Sequence, residues 1–560
     1  MENSIEKSFF SSIDGSFAKT ILSLYKETDH EVFLAYLLAT ARSGHLCIEF
    51  SIDGLMPSPF FLVDTQEEAA PLEETILKSF RKMPVAFAYQ IDGRGPFPKV
   101  PVYIWENRVY LQRNWELEEL FILHLQRVLQ AKFFREGSSF SCNPALNEEQ
   151  SSAVEKALRF PISIISGGPG TGKSFTAIEI VRSFFLSFPE EKRKELRVKL
   201  AAPTGKVAAL LEKNIALKIG EFSQNIECGT LHSFLKMGGY EESRTIFADL
   251  FLIDEASMVD AGLFVEFLSR LQSGGRVIFM GDKDQLPPVE AGSFFADLIE
   301  VGHKIRLPCT LLKKSLRIER KELQELADAL LSSDIHRVKE QEGIEILSSN
   351  RLPEIKERVW LECKEAFSFF VKECTKENLF HILTQVDKFR VLSCMRKGLL
   401  GVDHLNSMVL GRFLGSLADE ESLICPILIT TNDPKRQLMN GDVGILYAKA
   451  SSLRKAFYES TDIAFFLSKD SGEFREIPAA VLPSFEFAYC LSVHKSQGSE
   501  YGSVLVLAPS GSERLGREVL YTAVTRAKKS ARLIIGEDTL ASVLRRSARK
   551  LSGIQRKLSG

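Results

Sequence analysis

The sequence predicts an α/β fold with two domains, each built on a parallel sheet, and three observations carry that expectation. From Pro161 onward, short apolar runs alternate with amphipathic helical stretches, the pattern of a parallel sheet covered on both faces. A second set of such runs returns near the C-terminus. The third observation is length: 560 residues are too many for one compact core, so three or four domains are expected.

The first 140 residues read as a mixed segment, with a helical stretch over Val32–Ala41 and a strand at Val102–Trp105. The early parallel runs are Ile162–Ser166, Val198–Ala202, Leu250–Ile253 and Val277–Met280. Each ends in a polar cluster, at the strand end where open α/β sheets present ligand-binding groups. The late runs are Tyr489–Val493, Val504–Ala508 and Leu533–Gly536. Between the two sets, Ala448–Pro483 alternates polar and apolar residues with little helical period, as a small β-rich insertion does.

Composition excludes several classes. An apolar fraction of 45% and a charged fraction of 26% are those of an ordinary globular protein. No apolar run reaches the roughly twenty residues a membrane helix needs, so no membrane partner is expected. The start, Met-Glu-Asn-Ser-Ile-Glu-Lys, lacks the basic and apolar stretches of a signal peptide, and a cytoplasmic location is expected. Nine cysteines lie without a CxxC pair; Cys363 and Cys374 come nearest to a cluster and read as buried thiols. A net charge of −2 neither supports nor excludes nucleic acid, because a narrow, locally basic channel can hold a strand while the rest of the surface stays neutral. The last twenty residues hold Arg545, Arg546, Arg549, Lys550, Arg556 and Lys557 without an acid, which reads first as a solvated, partly disordered tail and second as a contact for phosphate or a partner.

Gly167-Gly168-Pro169-Gly170-Thr171-Gly172-Lys173-Ser174 fits GxxxxGK[ST] between a strand and a helix. The glycines let backbone N–H groups wrap a triphosphate, and the helix N-terminus adds favourable charge. In that setting Lys173 reaches the β- and γ-phosphates and Ser174 ligates Mg²⁺, so ATP and Mg²⁺ are the expected cofactors. Phe251-Leu252-Ile253-Asp254-Glu255 is an apolar strand ending in two acids. Asp254 suits Mg²⁺, and Glu255 suits the base that polarises an attacking water.

Further segments follow in order: Ala202-Pro203-Thr204-Gly205-Lys206, Gly229-Thr230-Leu231-His232-Ser233 and Gly281-Asp282-Lys283-Asp284-Gln285-Leu286-Pro287. Gln285 sits where a γ-phosphate can be sensed. Later come Ser492-Val493-His494-Lys495-Ser496-Gln497-Gly498-Ser499-Glu500 and Leu520-Tyr521-Thr522-Ala523-Val524-Thr525-Arg526-Ala527. Any one of these could be a turn or a surface helix. As an ordered set over residues 146–540, they resemble the motif series of superfamily 1 helicases, in the spelling of the RecD group. That group is the alpha subunit of bacterial exodeoxyribonuclease V. Asn440-Gly441-Asp442-Val443-Gly444 adds a further RecD-like spelling.

The resemblance implies two RecA-like P-loop motor domains and a small SH3-like β insertion. The expected organisation is an N-terminal partner-docking domain (1–140), a first motor domain (141–308) and a second (309–560) with the insertion at 435–485. Gln150 matches a glutamine that reads the adenine edge. Lys173, Ser174, Asp254 and Glu255 keep the roles derived above, and Gln285 couples phosphate state to DNA contact. Arg317 and Arg526 match arginines that reach across the cleft to the γ-phosphate, although the segment Lys314-Ser315-Leu316-Arg317-Ile318 lacks the aromatic the family shows after that arginine. Gly498 and Glu500 lie at the nucleotide edge of the second domain. Thr204, His232, Thr430 and His494 match segments lining a single-strand path. Residues 340–390 align with no motif.

The implied activity is an ATP-dependent DNA helicase moving 5′ to 3′ on single-stranded DNA and acting at DNA ends. The implied partners are the beta and gamma subunits, in a heterotrimer serving double-strand break repair and recombination. Leu38-Ala39-Thr40-Ala41-Arg42-Ser43-Gly44-His45-Leu46-Cys47 resembles the N-terminal domain that docks there. Two other readings are a free-standing RecD-like helicase and a nucleotide-switched DNA-binding scaffold. A small-molecule P-loop kinase leaves the His494 and Arg526 motifs without a role. No cluster of carboxylates with a lysine lies outside the ATP site, so no nuclease centre is expected.

Overall fold

Why each segment adopts its element follows from which groups must be buried. The computed structural model describes residues 9–52, 54–63, 66–81, 83–93, 95–131, 143–235, 245–314, 321–346, 351–368, 376–467 and 473–559.

The N-terminal domain opens with α1 (Ser12–Tyr25) and α2 (Glu31–Arg42). Ser11 and Asp14 form a capping box at the start of α1. The buried Asp14 also accepts two hydrogen bonds from Arg42, both 2.8 Å, which ties α1 to α2. Next come β1 (Cys47–Ser51), β2 (Gly54–Met56), α3 (Gln66–Phe80), β3 (Ala88–Gln90), β4 (Val102–Trp105) and β5 (Arg108–Leu111). They form a five-stranded sheet in the order β2-β1-β5-β4-β3. From β5 the chain runs directly into α4 (Gln112–Leu129), which packs into the first motor domain. Its fully buried Phe121 lies 4.1 Å from the Phe294 ring.

The first motor domain holds α5 (Glu148–Arg159), β6 (Ile162–Gly167), α6 (Lys173–Leu186), β7 (Val198–Ala202), α7 (Gly205–Ile219) and β8 (Ile226–Thr230). After these come α8 (Leu231–Leu235), β9 (Leu250–Ile253), α9 (Ala261–Arg270), β10 (Arg276–Gly281), α10 (Phe294–Val301) and β11 (Cys309–Leu312). The sheet order is β11-β6-β10-β9-β7-β8, and every pairing is parallel. All residues of β6, β9 and β10 are buried, as a sheet covered on both faces requires. The register pairs Ser166 with Gly281 and Phe279 with Ile253. Three strands therefore end side by side, and their following loops share one face of the sheet.

The second motor domain contains α11 (Lys321–Ser332), β12 (Ile344–Ile346), α12 (Leu352–Phe367), α13 (Lys376–Val386), β13 (Phe389–Ser393) and α14 (Val402–Leu414). An antiparallel insertion follows: β14 (Ser422–Ile429), β15 (Val443–Lys449), β16 (Ile463–Leu467), β17 (Phe474–Pro478) and β18 (Phe485–Phe487), in the order β17-β16-β15-β14-β18. It starts earlier than the expected 435, because the apolar strand β14 pairs with both β15 and β18. The chain then returns through β19 (Cys490–Ser492), β20 (Tyr501–Ala508), α15 (Arg517–Val524), β21 (Ala527–Ile535) and α16 (Glu537–Leu544). The parallel order is β12-β21-β20-β13-β19. Residues without a motif thus supply this domain's edge strand β12 and helix α12, whose Val359, Cys363 and Phe367 are fully buried.

The expected solvated tail is corrected. Residues 545–559 leave the second motor domain, cross the first and end in α17 (Ile554–Ser559), with Ile554 fully buried. The Leu46 N–H donates to Leu551 O (2.8 Å), Ser552 Oγ to Asp297 (2.7 Å) and the Gly553 N–H to Glu118 (2.8 Å). Lys557 lies 3.3 Å above the Trp115 ring and 3.1 Å from Glu118. The acids that balance the tail's charge come from other segments, which a local count of charges misses. Among the described residues no helix is long and apolar enough to cross a membrane, and no three or more His, Cys, Asp or Glu side chains cluster so as to hold a metal ion by themselves. Cys363 is buried, and Cys374 lies outside the described residues.

Candidate nucleotide site and domain interface

The loop between β6 and α6 adopts a conformation that its glycines permit. Gly170 and Gly172 have φ of 82° and 84°, a region that residues with a Cβ rarely enter. A Cβ on Gly167 would fall 2.6 Å from Thr171 Oγ1. Thr171 Oγ1 donates to Gly168 O (2.8 Å), and Lys173 Nζ to Gly167 O (2.5 Å) and Gly168 O (3.3 Å). Pro169 lies on the half-buried rim of this loop, and Ser174 is exposed in the first turn of α6.

At the next strand end, Asp254 and Glu255 follow β9. Burial pushes the Asp254 carboxyl up to about 6; Glu255 adds to the rise, and Lys173 opposes it. Glu255 adopts φ 51°, left-handed for a non-glycine residue, and its Oε2 is buried without a hydrogen-bond partner. After β10, Asp282 is buried and its carboxyl is raised, first by burial, while Lys173 pulls it down. Gln285 Nε2 donates to Asp282 Oδ2 (3.2 Å), and Gln285 Oε1 is buried without a partner. Lys173, the two acids and the 282–285 loop are thereby gathered at one end of the sheet. A cavity of about 460 Å³ opens beside them, lined by Gly168, Thr171, Asp282, Leu312, Gln324 and Tyr521 among others. That volume suits a small-molecule ligand.

Gln150 stands at the start of α5, packed against the phosphate loop. It is fully buried; its Oε1 accepts from the Asn147 N–H (3.2 Å) and its Nε2 donates to Thr171 O (3.2 Å). Its amide caps α5 and braces the phosphate loop. Arg526 is also buried and bonded within its own domain, to Thr522 O (3.0 Å) and Ser499 O (3.4 Å). Glu500 pairs with Lys528 at 3.5 Å. Arg317 lies outside the described residues.

Contacts across the motor interface supply residues that sequence reasoning passed over. Tyr521 OH donates to Asp282 Oδ2 (2.9 Å), and the Leu286 N–H donates to Thr522 Oγ1 (2.9 Å). Lys206 Nζ donates to Ser499 Oγ (2.7 Å). Gly498 has φ 69°, and a Cβ there would fall 2.4 Å from Val207 Cγ2. Tyr521, Asp282 and Lys206 all stand inside quoted motifs, but no spacing reveals which partner faces them.

The four expected strand-contacting residues fall into two groups. Ala202 pairs with Thr230, so the Thr204 loop and the short helix α8 bearing His232 leave neighbouring strands β7 and β8. Thr204 caps α7, and His232 is exposed. Thr430 follows β14 and donates to Ser484 O (2.9 Å). The Met439 side chain of the adjacent loop would lie 3.3 Å from a Cβ on Gly205, so the insertion meets the Thr204 loop. His494 is half-buried, and its imidazole is held below its usual value by burial and by Lys550.

The chain is a nucleotide-binding P-loop motor of helicase superfamily 1. Residues 145–350 match an AAA domain family model, and residues 487–534 match the UvrD-like helicase C-terminal domain. Along most of its length the chain is a homologue of RecD proteins. It is 29% identical to the RecBCD enzyme subunit RecD of Mycolicibacterium smegmatis, over 97% of this chain and 96% of that protein. Identity to the Haemophilus influenzae RecBCD enzyme subunit RecD is 27%, over 72% of this chain and 71% of that protein. The ATP-dependent RecD2 DNA helicase of Deinococcus radiodurans is 30% identical over 68% of this chain, which covers 48% of that protein. Among solved structures, Pif1 helicase from Candida albicans aligns over 71% of this chain and 97% of its own at 17% identity, with a TM-score of 0.38.

Proposed function

We propose that this chain is an ATP-driven DNA helicase that moves along single-stranded DNA, as the motor subunit of a RecBCD-type complex. The observation that carries it is the junction at the ends of β6, β9 and β10. There the phosphate loop, the Asp254–Glu255 pair and Gln285 meet, and Tyr521 and Thr522 of the other motor domain bond directly to the Gln285 loop.

The residues present fit a magnesium–nucleoside triphosphate. Asp254 and Glu255 form a half-buried acidic pair that a divalent cation would neutralise, and Ser174, in the first turn of α6, would be a further ligand. Bound there, Mg²⁺ supplies charge stabilisation for phosphoryl transfer. Lys173 and the N–H groups of the phosphate loop hold the phosphates. Glu255, with an unpartnered carboxylate oxygen, takes the proton of the attacking water. Gln285 offers its free Oε1 to the same water. Arg526 and Arg317 serve as charge-stabilising arginines of the second domain, which for Arg526 requires release from its bonds to Thr522 and Ser499.

Thr204, His232, Thr430 and His494 line the strand path, and closure of the two domains moves one along the strand. Movement runs 5′ to 3′, by analogy with the RecD group. The similarity to RecD subunits extends through the N-terminal domain, whereas the match to the RecD2 helicase covers 68% of the chain. This favours assembly with beta and gamma subunits, in the cytoplasm, at DNA ends, over a free-standing helicase.

The test is ATP hydrolysis by the purified chain, with and without single-stranded DNA, beside Lys173→Gln. Stimulation by DNA that the variant loses is the expected result. Turnover that survives Lys173→Gln refutes the assignment. Co-expression with beta and gamma subunits tests assembly, and failure to co-elute refutes the complex.

A further inference from the structure

We infer that Tyr521 is a positioning residue that aims Gln285 through Asp282, so that the hydrolytic site is complete only while the second motor domain is docked on the first. The inference rests on the ATPase reading above and adds the device that couples the domains.

Asp282 is the hub. Its Oδ2 accepts from both Tyr521 OH (2.9 Å) and Gln285 Nε2 (3.2 Å), and its Oδ1 accepts from the Asp284 N–H (3.1 Å). The orientation of the Gln285 amide follows from this charge, since the reverse orientation would set Oε1 against the carboxylate. With Nε2 committed, Oε1 is left buried, unpartnered and available to a reacting water. The far end of the loop is pinned as well: the Leu286 N–H donates to Thr522 Oγ1 (2.9 Å), and Gln497 Nε2 donates to Leu286 O (3.5 Å).

Tyr521 also touches the phosphate loop. A Cβ on Gly168 would fall 3.0 Å from its hydroxyl, so that glycine leaves room for the ring. One phenol therefore joins the phosphate loop, the 282–286 loop and α15. A buried phenol usually finds a hydrogen-bond partner, and among the described residues that of Tyr521 is Asp282. Four residues past Thr522, Arg526 Nε donates to Thr522 O (3.0 Å), so the same turn of chain that holds Gln285 holds the arginine. When α15 withdraws, Asp282 loses its cross-domain donor and Gln285 loses its fixed anchor. A plain interface contact would affect stability, whereas a positioning contact acts through Gln285.

Tyr521→Phe removes the hydroxyl and keeps the ring. A charge-assisted hydrogen bond of this kind is worth about a tenfold change in rate, so kcat for DNA-stimulated hydrolysis is expected to fall about tenfold with KM for ATP little changed. In a Gln285→Ala background, adding Tyr521→Phe should change kcat by less than about twofold, because the two residues act as one unit. An unchanged kcat in the single variant, or the same tenfold loss in the Gln285→Ala background, overturns the proposal. Lys173→Gln in the same assay reports separately on the ATPase reading. Amide exchange at Asp284 and Leu286 needs no turnover: faster exchange in Tyr521→Phe supports the proposal, and unchanged exchange overturns it even if hydrolysis requires partner subunits.

Discussion

Replacing Lys557 by methionine removes one charge from a buried ion pair that fastens the C-terminal segment. Lys557 Nζ lies 3.1 Å from Glu118 Oε2 and 2.9 Å from Glu119 Oε1, with the lysine side chain 5% exposed and that of Glu118 fully buried. Removing one member of a buried pair costs about 3–5 kcal/mol. Two features reduce that here: Glu118 keeps the Gly553 N–H at 2.8 Å, and methionine keeps much of the packing on Trp115. The expected loss is therefore about 2–3 kcal/mol. It falls on docking of the tail rather than on global unfolding, because segments of a multidomain chain open separately. That corresponds to on the order of 100-fold more frequent opening. The assay is hydrogen exchange at the amides of Leu46 and Gly553, which bond to Leu551 O and Glu118 in the docked state. The pH dependence has a definite sign. Burial raises the Glu118 carboxyl and Lys557 lowers it, so the variant raises it further. Above the ordinary carboxylate range the docked state then holds a proton that the open state has released, and docking weakens as pH rises. The defect should be largest near about pH 8 and shrink toward about pH 5. Adding Glu118→Leu should restore most of the docking. Exchange within about threefold of the parent, or a defect that grows at low pH, refutes this reasoning.

Three further outcomes are expected. Glu255→Gln should lower kcat by about 10²–10⁴-fold while nucleotide binding persists, measured by steady-state turnover beside equilibrium binding. Gly498→Ala should weaken domain closure by at least about 1 kcal/mol, since φ is 69° and the new Cβ meets Val207 Cγ2 at 2.4 Å; it should be read as a raised KM for ATP, with Val207→Ala relieving the steric part only. Asp297, pushed up to about 7 by burial against the opposing bonds from Ser552 and Gln555, is protonated in the docked state when the exposed carboxyl is not. Docking of the tail should thus weaken as pH rises from about 4 through about 7 and level off above, and Asp297→Asn should flatten that profile in the same exchange assay.

The strands that carry the phosphate loop, Asp254 and the Gln285 loop were legible because each is a short apolar run ending in polar residues. Their burial is dictated by neighbours that any parallel sheet supplies. Strand β14 was harder to read: Ser422–Ile429 is nearly continuous in apolar residues, so it lacks the alternation that marks an antiparallel strand, and the insertion looked shorter than it is. The tail misled for another reason. Its six basic residues have no acid nearby in sequence, yet Glu118, Glu300 and Glu106 reach Lys557, Arg549 and Arg556 from distant segments. Gln150 shows the same limit at the site: its spacing from the phosphate loop is visible in sequence, but its bonds to Asn147 and Thr171 are not.

The tail also restricts how the two motor domains can move. Through Ala548 it belongs to the second domain, since Ser547 Oγ and the Ala548 N–H donate to Glu518 at 2.6 and 2.7 Å. From Arg549 onward it belongs to the first, through Glu300, Asp297 and Glu118. The interface has another tie where Tyr521 and Thr522 hold the 282–286 loop. A motion that separates α15 from the phosphate loop must either strip the tail from the first domain or pivot between Ala548 and Arg549. Stripping breaks a buried ion pair and several buried hydrogen bonds, a cost of several kcal/mol. Pivoting changes a few backbone torsions and gives up the partly buried Arg514 bond to Val63 O (3.0 Å) and the stacking of Arg546 on Phe60, but it spares the buried ion pair. The cheaper path keeps the N-terminal and first motor domains as one body and swings the second about the 548–549 peptide. A cross-link from residue 551 to residue 46 should then leave hydrolysis intact, whereas one that fixes residue 548 to residue 300 should slow it.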